Sequence, residues 1–238
     1  NPTGICMSLA KRIRLLELVN KYGIPVLEDD PYGELYFEGQ PLSPLKSMDK
    51  NGYVMYLSTF SKTISPGLRL GWICTGKKLI HQLCNIRQLA DLHSNCISQQ
   101  VVERFIVSGG MADYLTLLRR EYKERRDIMA EALDRYAPPG LSWNIPAGGY
   151  YLWCTLPEGV SAEALAQRAA AGGVAILPGM PSYLVTRKGE AHVRLNYTFP
   201  AKNRISEGIR LLCEAIRELL RLSKEAAWPA ENEINPIL

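Results

Sequence analysis

Lys62 lies in a segment whose residue types suit a reactive amine beside a bound phosphate. The chain reads Thr59-Phe60-Ser61-Lys62, and Arg69 follows shortly after. A lysine amine is nucleophilic only when deprotonated, which a desolvated or cationic setting favours. Arg69 offers a fork of donors that matches phosphate oxygens, and the hydroxyls of Thr59 and Ser61 can complete such a site. The alternative for an isolated lysine in a hydroxyl-rich turn is an exposed loop residue.

Asp29 and Tyr32 form a second polar cluster, in Asp29-Asp30-Pro31-Tyr32. A carboxylate at the end of a buried strand can pair with a protonated pyridine nitrogen, and a cationic pyridine ring accepts electrons in carbanion chemistry. Tyr32 can donate a hydrogen bond to a phenolate oxygen. The alternative is that these acids only cap a helix or face water.

The elements before these clusters predict that both lie at one edge of a sheet. Ser8 can cap a helix that runs to about Tyr22 and ends at Gly23. Short apolar runs then predict strands at 24–27, 53–57 and 70–74, and the two polar clusters follow the first two strands. In open α/β sheets, ligands bind outside the carboxyl ends of the strands.

The rest of the chain predicts helices and a second, smaller α+β domain. Apolar periodicity indicates helices before Pro138-Pro139-Gly140, and strands and helices alternate after it. Aromatic residues at 150–153 are interpreted as core, and the alternative for Tyr150 is a place near the substrate. A tail at 227–238 is predicted to be loose. The predicted elements are helices at 77–107, 112–136, 162–171 and 205–222 and strands at 150–156, 174–177 and 191–195.

The composition predicts a soluble cytoplasmic protein. The chain has 238 residues, of which 47% are hydrophobic and 22% charged, so a sizeable core is available. The net charge of +4 comes from bases mixed with acids, which indicates solvated helix faces; a nucleic-acid-binding stripe is the alternative. The six cysteines form no C-x-x-C pair and are predicted to be buried free thiols in a reducing compartment, with no metal site. No signal peptide or membrane-spanning run is visible.

The order of these motifs resembles the class I/II aminotransferases of fold type I, which use pyridoxal 5'-phosphate. Asn1-Pro2-Thr3-Gly4, Asp29-x-x-Tyr32, Ser61-Lys62 and Arg69 occur in the family's order and near its spacing, and Arg194 resembles the arginine that binds the substrate carboxylate. Within this family, the residues of these segments most resemble those of the 2-aminoadipate-type aminotransferases and of the aminotransferase-like domain of GntR/MocR-type winged-helix regulators.

The resemblance implies an α/β fold in two parts. Residues 1–110 are expected to be the C-terminal half of the large, three-layer α/β/α cofactor-binding domain, and residues 111–226 a linking helix with a small α+β domain. The family pattern includes a glycine-rich turn and a ring-stacking aromatic ahead of Asn1. The chain is therefore expected to be a C-terminal fragment, which alone would bind cofactor weakly and show little catalysis.

Seven residues are implied to hold the cofactor: Asn1, Asp29, Tyr32, Thr59, Ser61, Lys62 and Arg69. By the resemblance, Lys62 forms the Schiff base and moves the proton at the substrate Cα. Asp29 keeps the pyridine nitrogen protonated, while Tyr32 and Asn1 bond the phenolic oxygen. The other three bind the phosphate.

Arg194 is implied to pair with the α-carboxylate of the substrate; a surface ion pair is the alternative. The implied activity moves an amino group between an α-amino acid and a 2-oxo acid by a ping-pong mechanism, in a homodimer with no membrane contact. The rival hypothesis is an effector-sensing domain of a GntR/MocR-type regulator, which would contact DNA only through a winged-helix domain upstream of this chain.

Overall fold

The computed structural model describes residues 1–184 and 186–227, which belong to two compact units. The lysine unit, which contains Lys62, consists of Cys6–Glu121 and Ala147–Gly149. The arginine unit, which contains Arg194, consists of Asn1–Ile5, Tyr122–Pro146 and the chain from Tyr150 onward. The domain boundary at 110/111 stays a prediction. The tail predicted to be loose lies, beyond Ala227, outside the described residues.

The lysine unit begins with helix α1, Leu9–Tyr22, whose predicted ends are confirmed. The Ser8 side chain accepts a hydrogen bond from the backbone N–H of Lys11, which satisfies a donor in the first turn. Gly23 ends the helix at φ 63°, in the left-handed region. Glycine adopts this conformation at little cost in free energy because it has no Cβ. Leu16 and Val19 are buried on one helix face.

The sheet of the lysine unit has three strands in the order β1-β2-β3: β1 is Val26–Asp29, β2 is Val54–Thr59 and β3 is Gly71–Cys74. β1 and β2 are parallel and β3 is antiparallel to β2. β1 begins later than predicted because Pro25 has no N–H for the ladder; Val26 donates first, to the carbonyl of Tyr53.

Four helices complete the lysine unit: α2 is Leu45–Met48, α3 is Lys77–Asp91, α4 is Cys96–Val107, and α5, Gly110–Tyr136, continues into the arginine unit. The prediction of one helix over 77–107 was wrong. Leu92 adopts φ 64°, which ends α3, and the Asn95 side chain caps α4 by accepting from the N–H of Ser98.

The arginine unit has an antiparallel sheet whose strands lie in the order β4 (Ser142–Asn144), β5 (Tyr151–Thr155), β7 (His192–Asn196) and β6 (Leu177–Pro178). Leu152, Cys154, Val193 and Leu195 alternate along β5 and β7 and are buried, as period two requires of one sheet face. The predicted strand at 174–177 survives only as the short β6. Helix α6 is Ala162–Ala171 and helix α7 is Lys202–Ala227.

The prediction of buried thiols holds for two cysteines and was wrong for the others. Cys154 and Cys213 are buried, and burial, with Cys213 nearby, raises the pKa of the Cys154 thiol to about 12. The other four are exposed in this chain; Cys74, for example, lies on β3, an edge strand. An apolar run predicts burial only where another element packs on it. Within the described residues, no helix has the length and apolar character needed to cross a membrane.

Candidate active site

The turn after β2 brings two hydroxyls together directly ahead of Lys62. Oγ1 of Thr59 lies 2.9 Å from Oγ of Ser61, and the backbone N–H of Ser61 donates to Thr59 Oγ1 at 3.0 Å. The N–H of Phe60 donates to the carbonyl of Leu70, so the residue just before β3 holds the start of the turn. Lys62 follows in this turn and is half-buried. The pattern is a hydroxyl pair with an amine beside it.

Arg69 lies just before β3 in an unusual backbone conformation. It ends the short 3-10 turn Pro66–Leu68 at φ 52° and ψ 40°, in the left-handed region that residues with a Cβ seldom adopt. Its guanidinium is exposed and donates to the carbonyl of Pro66 at 3.1 Å. Strained backbone of this kind costs about 1–3 kcal/mol and is concentrated at functional sites.

The two carboxylates that end β1 have different surroundings. The hydroxyl of Tyr56 donates to Asp30 Oδ2 at 2.9 Å, and burial together with this bond raises the pKa of Tyr56. A Cβ at Gly33 would overlap the Asp30 carboxylate, so Asp30 is held close to the turn backbone. Asp29, the last residue of β1, is exposed. Asp30 therefore has a structural partner, and Asp29 presents its carboxylate at the strand end.

The parallel pairing of β1 and β2 places both polar clusters at one edge of the sheet, which confirms this part of the sequence analysis. Asp29 is opposite Leu57 in the register, two residues before Thr59. The hydroxyl of Ser58 donates to the carbonyl of Asp30 at 2.8 Å and ties the two strand ends together. Tyr32 is half-buried in the turn that follows β1.

Arg194 and Asn1 meet in the arginine unit. Nη1 of Arg194, on β7, donates to Oδ1 of Asn1 at 2.7 Å. The opening segment is held by Asn144, whose Nδ2 donates to the carbonyl of Thr3. Gly4 has φ 68°, and a Cβ there would lie 2.8 Å from Cβ of Pro146, so only glycine fits this close approach.

Tyr151 is the residue of this region that sequence reasoning missed. The guanidinium carbon of Arg194 lies 4.0 Å from the centroid of the Tyr151 ring, and this ring is half-buried. The interpretation of the aromatic run as core was therefore wrong for Tyr151. Strand periodicity was the available signal, because residues 151 and 153 point away from the buried Leu152 and Cys154.

Residues 1–212 match the family model described as aminotransferase class I and II. The chain belongs to the class I and II aminotransferase family. It is 39% identical to aromatic-amino-acid aminotransferase 1 of Thermococcus litoralis, over 93% of this chain and 53% of that protein. It is 36% identical to the HTH-type transcriptional regulator YisV of Bacillus subtilis, over 92% of this chain and 45% of the regulator. The chain spans about half the length of the curated relatives it matches.

The fold is also that of solved aminotransferases. The crystal structure of the alpha-aminoadipate aminotransferase of Thermus thermophilus, complexed with N-(5'-phosphopyridoxyl)-L-leucine, superimposes with a TM-score of 0.88 at 38% identity, over 93% of this chain and 57% of that one. This aminotransferase chain thus has the α/β architecture of the fold type I enzymes. The compound bound in that neighbour carries a phosphopyridoxyl group, as does pyridoxal phosphate, the cofactor that the sequence analysis expects for this chain.

The residues of the lysine unit fit this cofactor by their chemistry. A hydroxyl pair and an exposed guanidinium suit a phosphate, a half-buried amine suits a bond to an aldehyde carbon, and a strand-end carboxylate suits a pyridinium nitrogen. Among the described residues, no group of three or more His, Cys, Asp or Glu side chains is placed to hold a metal ion.

Proposed function

We propose that the protein carrying this chain transfers an amino group between an α-amino acid and a 2-oxo acid, with pyridoxal phosphate, by a ping-pong mechanism. One observation carries the proposal. Half-buried Lys62 directly follows the hydrogen-bonded hydroxyls of Thr59 and Ser61, and this turn shares a sheet edge with Asp29. Membership of the aminotransferase family supports the same activity.

Each residue of the lysine unit then has a separate task. Thr59, Ser61 and Arg69 bind the phosphate through two hydroxyls and a guanidinium. When bound, pyridoxal phosphate supplies a ring that withdraws electrons from the substrate Cα. Asp29 places a negative charge at the pyridine nitrogen and so keeps that nitrogen protonated. Lys62 holds the cofactor through its amine and later removes and returns the Cα proton.

The residues of the arginine unit handle the substrate carboxylate and the phenolic oxygen. Arg194 pairs with the α-carboxylate, because its planar guanidinium matches two carboxylate oxygens. Asn1 accepts from Arg194 through Oδ1 and has Nδ2 as its donor group for the phenolic oxygen, the role that Tyr32 shares.

Steady-state kinetics of the full-length protein tests the proposal. Phenylalanine or 2-aminoadipate serves as donor, since relatives are named for aromatic amino acids and for 2-aminoadipate, and 2-oxoglutarate serves as acceptor. Initial rates over a grid of both concentrations should give parallel double-reciprocal lines. Lys62→Ala should abolish turnover. Intersecting lines would contradict the ping-pong order, and full activity of Lys62→Ala would remove Lys62 from the chemistry.

A second candidate function is an effector-sensing domain of a transcriptional regulator. The 36% identity to YisV over 92% of this chain favours it. Such a protein would bind an amino acid or amine through the same residues without multiple turnover. Reading the gene upstream of Asn1 separates the candidates, since a regulator would encode a winged-helix domain there. Two statements stay predictions: that the protein is a homodimer, and that it would contact DNA only through a winged-helix domain upstream of this chain.

Covalent labelling should identify the cofactor lysine. We expect the full-length protein to absorb visible light with pyridoxal phosphate bound, and borohydride to fix a pyridoxyl group on Lys62. Peptide mass spectrometry locates the label. Lys46 and Lys77 are internal comparisons in the same unit, and a label on either of them would refute the assignment.

A further inference from the structure

The ring of Tyr151 lies against the guanidinium of Arg194 in the arginine unit. The guanidinium carbon is 4.0 Å from the ring centroid, well inside the ~6 Å at which a cation is attracted to an aromatic face. In the antiparallel pair of β5 and β7, Trp153 is opposite Arg194 and Tyr151 is opposite Asn196. Tyr151 and Arg194 are therefore diagonal neighbours on one sheet face, a spacing that aromatic and long side chains can bridge.

Packing fixes the orientation of the Tyr151 ring. It makes an edge contact with Tyr150, at a centroid distance of 5.9 Å and an interplanar angle of 70°. Tyr150 makes a similar contact with Tyr122 of α5, at 5.3 Å and 77°. The carbonyl of Tyr150 also accepts from the N–H of Tyr197. This series of perpendicular rings holds the face of Tyr151 towards Arg194.

Arg194 is thus restrained in two directions. The guanidinium carbon of Arg194 lies over the Tyr151 ring, and Asn1 accepts a hydrogen bond from Nη1. A guanidinium is planar and carries five N–H donors, so a ring on its face fixes the plane without using any donor. An edge N–H pair can then meet both oxygens of a carboxylate in that same plane. An unrestrained arginine would lose rotamer freedom each time it bound a ligand.

We propose that Tyr151 is a positioning residue: its ring holds the Arg194 guanidinium in the plane in which it pairs with the carboxylate of an α-amino acid or a 2-oxo acid. The inference rests on the proposed function, which assigns that carboxylate to Arg194. Tyr151 contacts Arg194 through its aromatic face, so any aromatic ring at this position should keep the guanidinium in place.

Equilibrium binding to the cofactor-loaded, full-length protein tests this inference. Calorimetry measures hexanoate, which has a carboxylate and no amine, and hexylamine, which has the reverse. In Tyr151→Leu we expect the Kd of hexanoate to rise about threefold to thirtyfold, the range of a cation–π contact, with hexylamine unchanged. Tyr151→Phe should bind both ligands like the parent protein. In kinetics, Tyr151→Leu should raise KM for the amino acid and leave kcat nearly unchanged.

Tyr183→Leu is the matched control. Tyr183 is also an aromatic residue of the arginine unit, but its ring contacts Trp153 and His192, at 6.4 and 5.5 Å between centroids. The Tyr183→Leu variant should bind hexanoate with the Kd of the parent protein. Circular dichroism confirms that each variant is folded, and Tyr151→Met replaces Tyr151→Leu if the latter does not fold.

The outcomes separate this inference from the function on which it rests. Loss of hexanoate binding in Tyr151→Leu with retention in Tyr151→Phe supports the positioning role. Equal losses of hexanoate binding in Tyr151→Leu and Tyr151→Phe would show that the hydroxyl is the group that matters, and would overturn the positioning role of the ring. Normal binding in Tyr151→Leu, alongside a loss in Arg194→Ala, would overturn it and leave the role of Arg194 intact. Normal binding in Arg194→Ala would instead refute the carboxylate role of Arg194, and with it the inference.

Discussion

Asp29→Asn should lower kcat by orders of magnitude while the protein still binds cofactor. The neutral amide cannot hold the pyridine nitrogen protonated as a carboxylate does, so the bound ring withdraws electrons from Cα less strongly. The loss should fall on kcat more than on KM, because the ring charge matters most in the transition state. Steady-state kinetics measures the rate, and cofactor absorbance at equilibrium measures binding.

Asp30→Asn is the natural control, since the two carboxylates are adjacent and only Asp30 is bonded to Tyr56. An asparagine at position 30 can still accept from that hydroxyl, so its kcat should stay near that of the parent protein. A larger loss in Asp30→Asn than in Asp29→Asn would transfer the pyridine role to Asp30. Unchanged turnover of Asp29→Asn would remove Asp29 from that role.

Arg194→Ala should weaken amino-acid binding by roughly 3–5 kcal/mol, a factor on the order of 10²–10⁴ in Kd. The substrate carboxylate loses both of its hydrogen bonds, and Asn1 loses the donor at 2.7 Å. Cofactor binding should hardly change, because the proposed function assigns the phosphate to Arg69 and the hydroxyls of the lysine unit. The measurement is KM and Kd for an amino acid, compared with a simple amine such as hexylamine.

Hexylamine gives the sharper contrast, because it has no carboxylate for Arg194 to bind. Its Kd should therefore be the same in Arg194→Ala as in the parent protein. Arg168→Ala is a matched arginine control in the same unit, since the Arg168 side chain pairs with Glu218 on a half-exposed surface. The Arg168→Ala variant should bind the amino acid and hexylamine with the Kd values of the parent protein. Equal losses for the amino acid and the amine in Arg194→Ala would make Arg194 a structural residue.

Local signals predicted most of the elements that position the candidate site. Ser8 and Gly23 bound α1 because capping and left-handed turn chemistry act within a few residues. The apolar runs before Asp29 and Lys62 became parallel neighbouring strands, so both polar clusters share an edge. The prediction of one helix over 77–107 was wrong at Leu92. This residue has a positive φ, which ends the helix, while the apolar periodicity of the sequence continues unchanged.

The sequence by itself determined the family, through the resemblance of its motifs and their order. It also predicted most of the elements, since turn residues, caps and apolar periodicity are local properties of the chain. It also assigned Lys62, Asp29 and Arg194 their candidate roles. Only the tertiary structure decided that Tyr56 bonds Asp30 rather than Asp29, and that Asn1 and Tyr151 contact Arg194. Asn1 and Arg194 lie 193 positions apart in the chain. Their contact depends on strand register and on the close packing of Gly4, which no local pattern encodes.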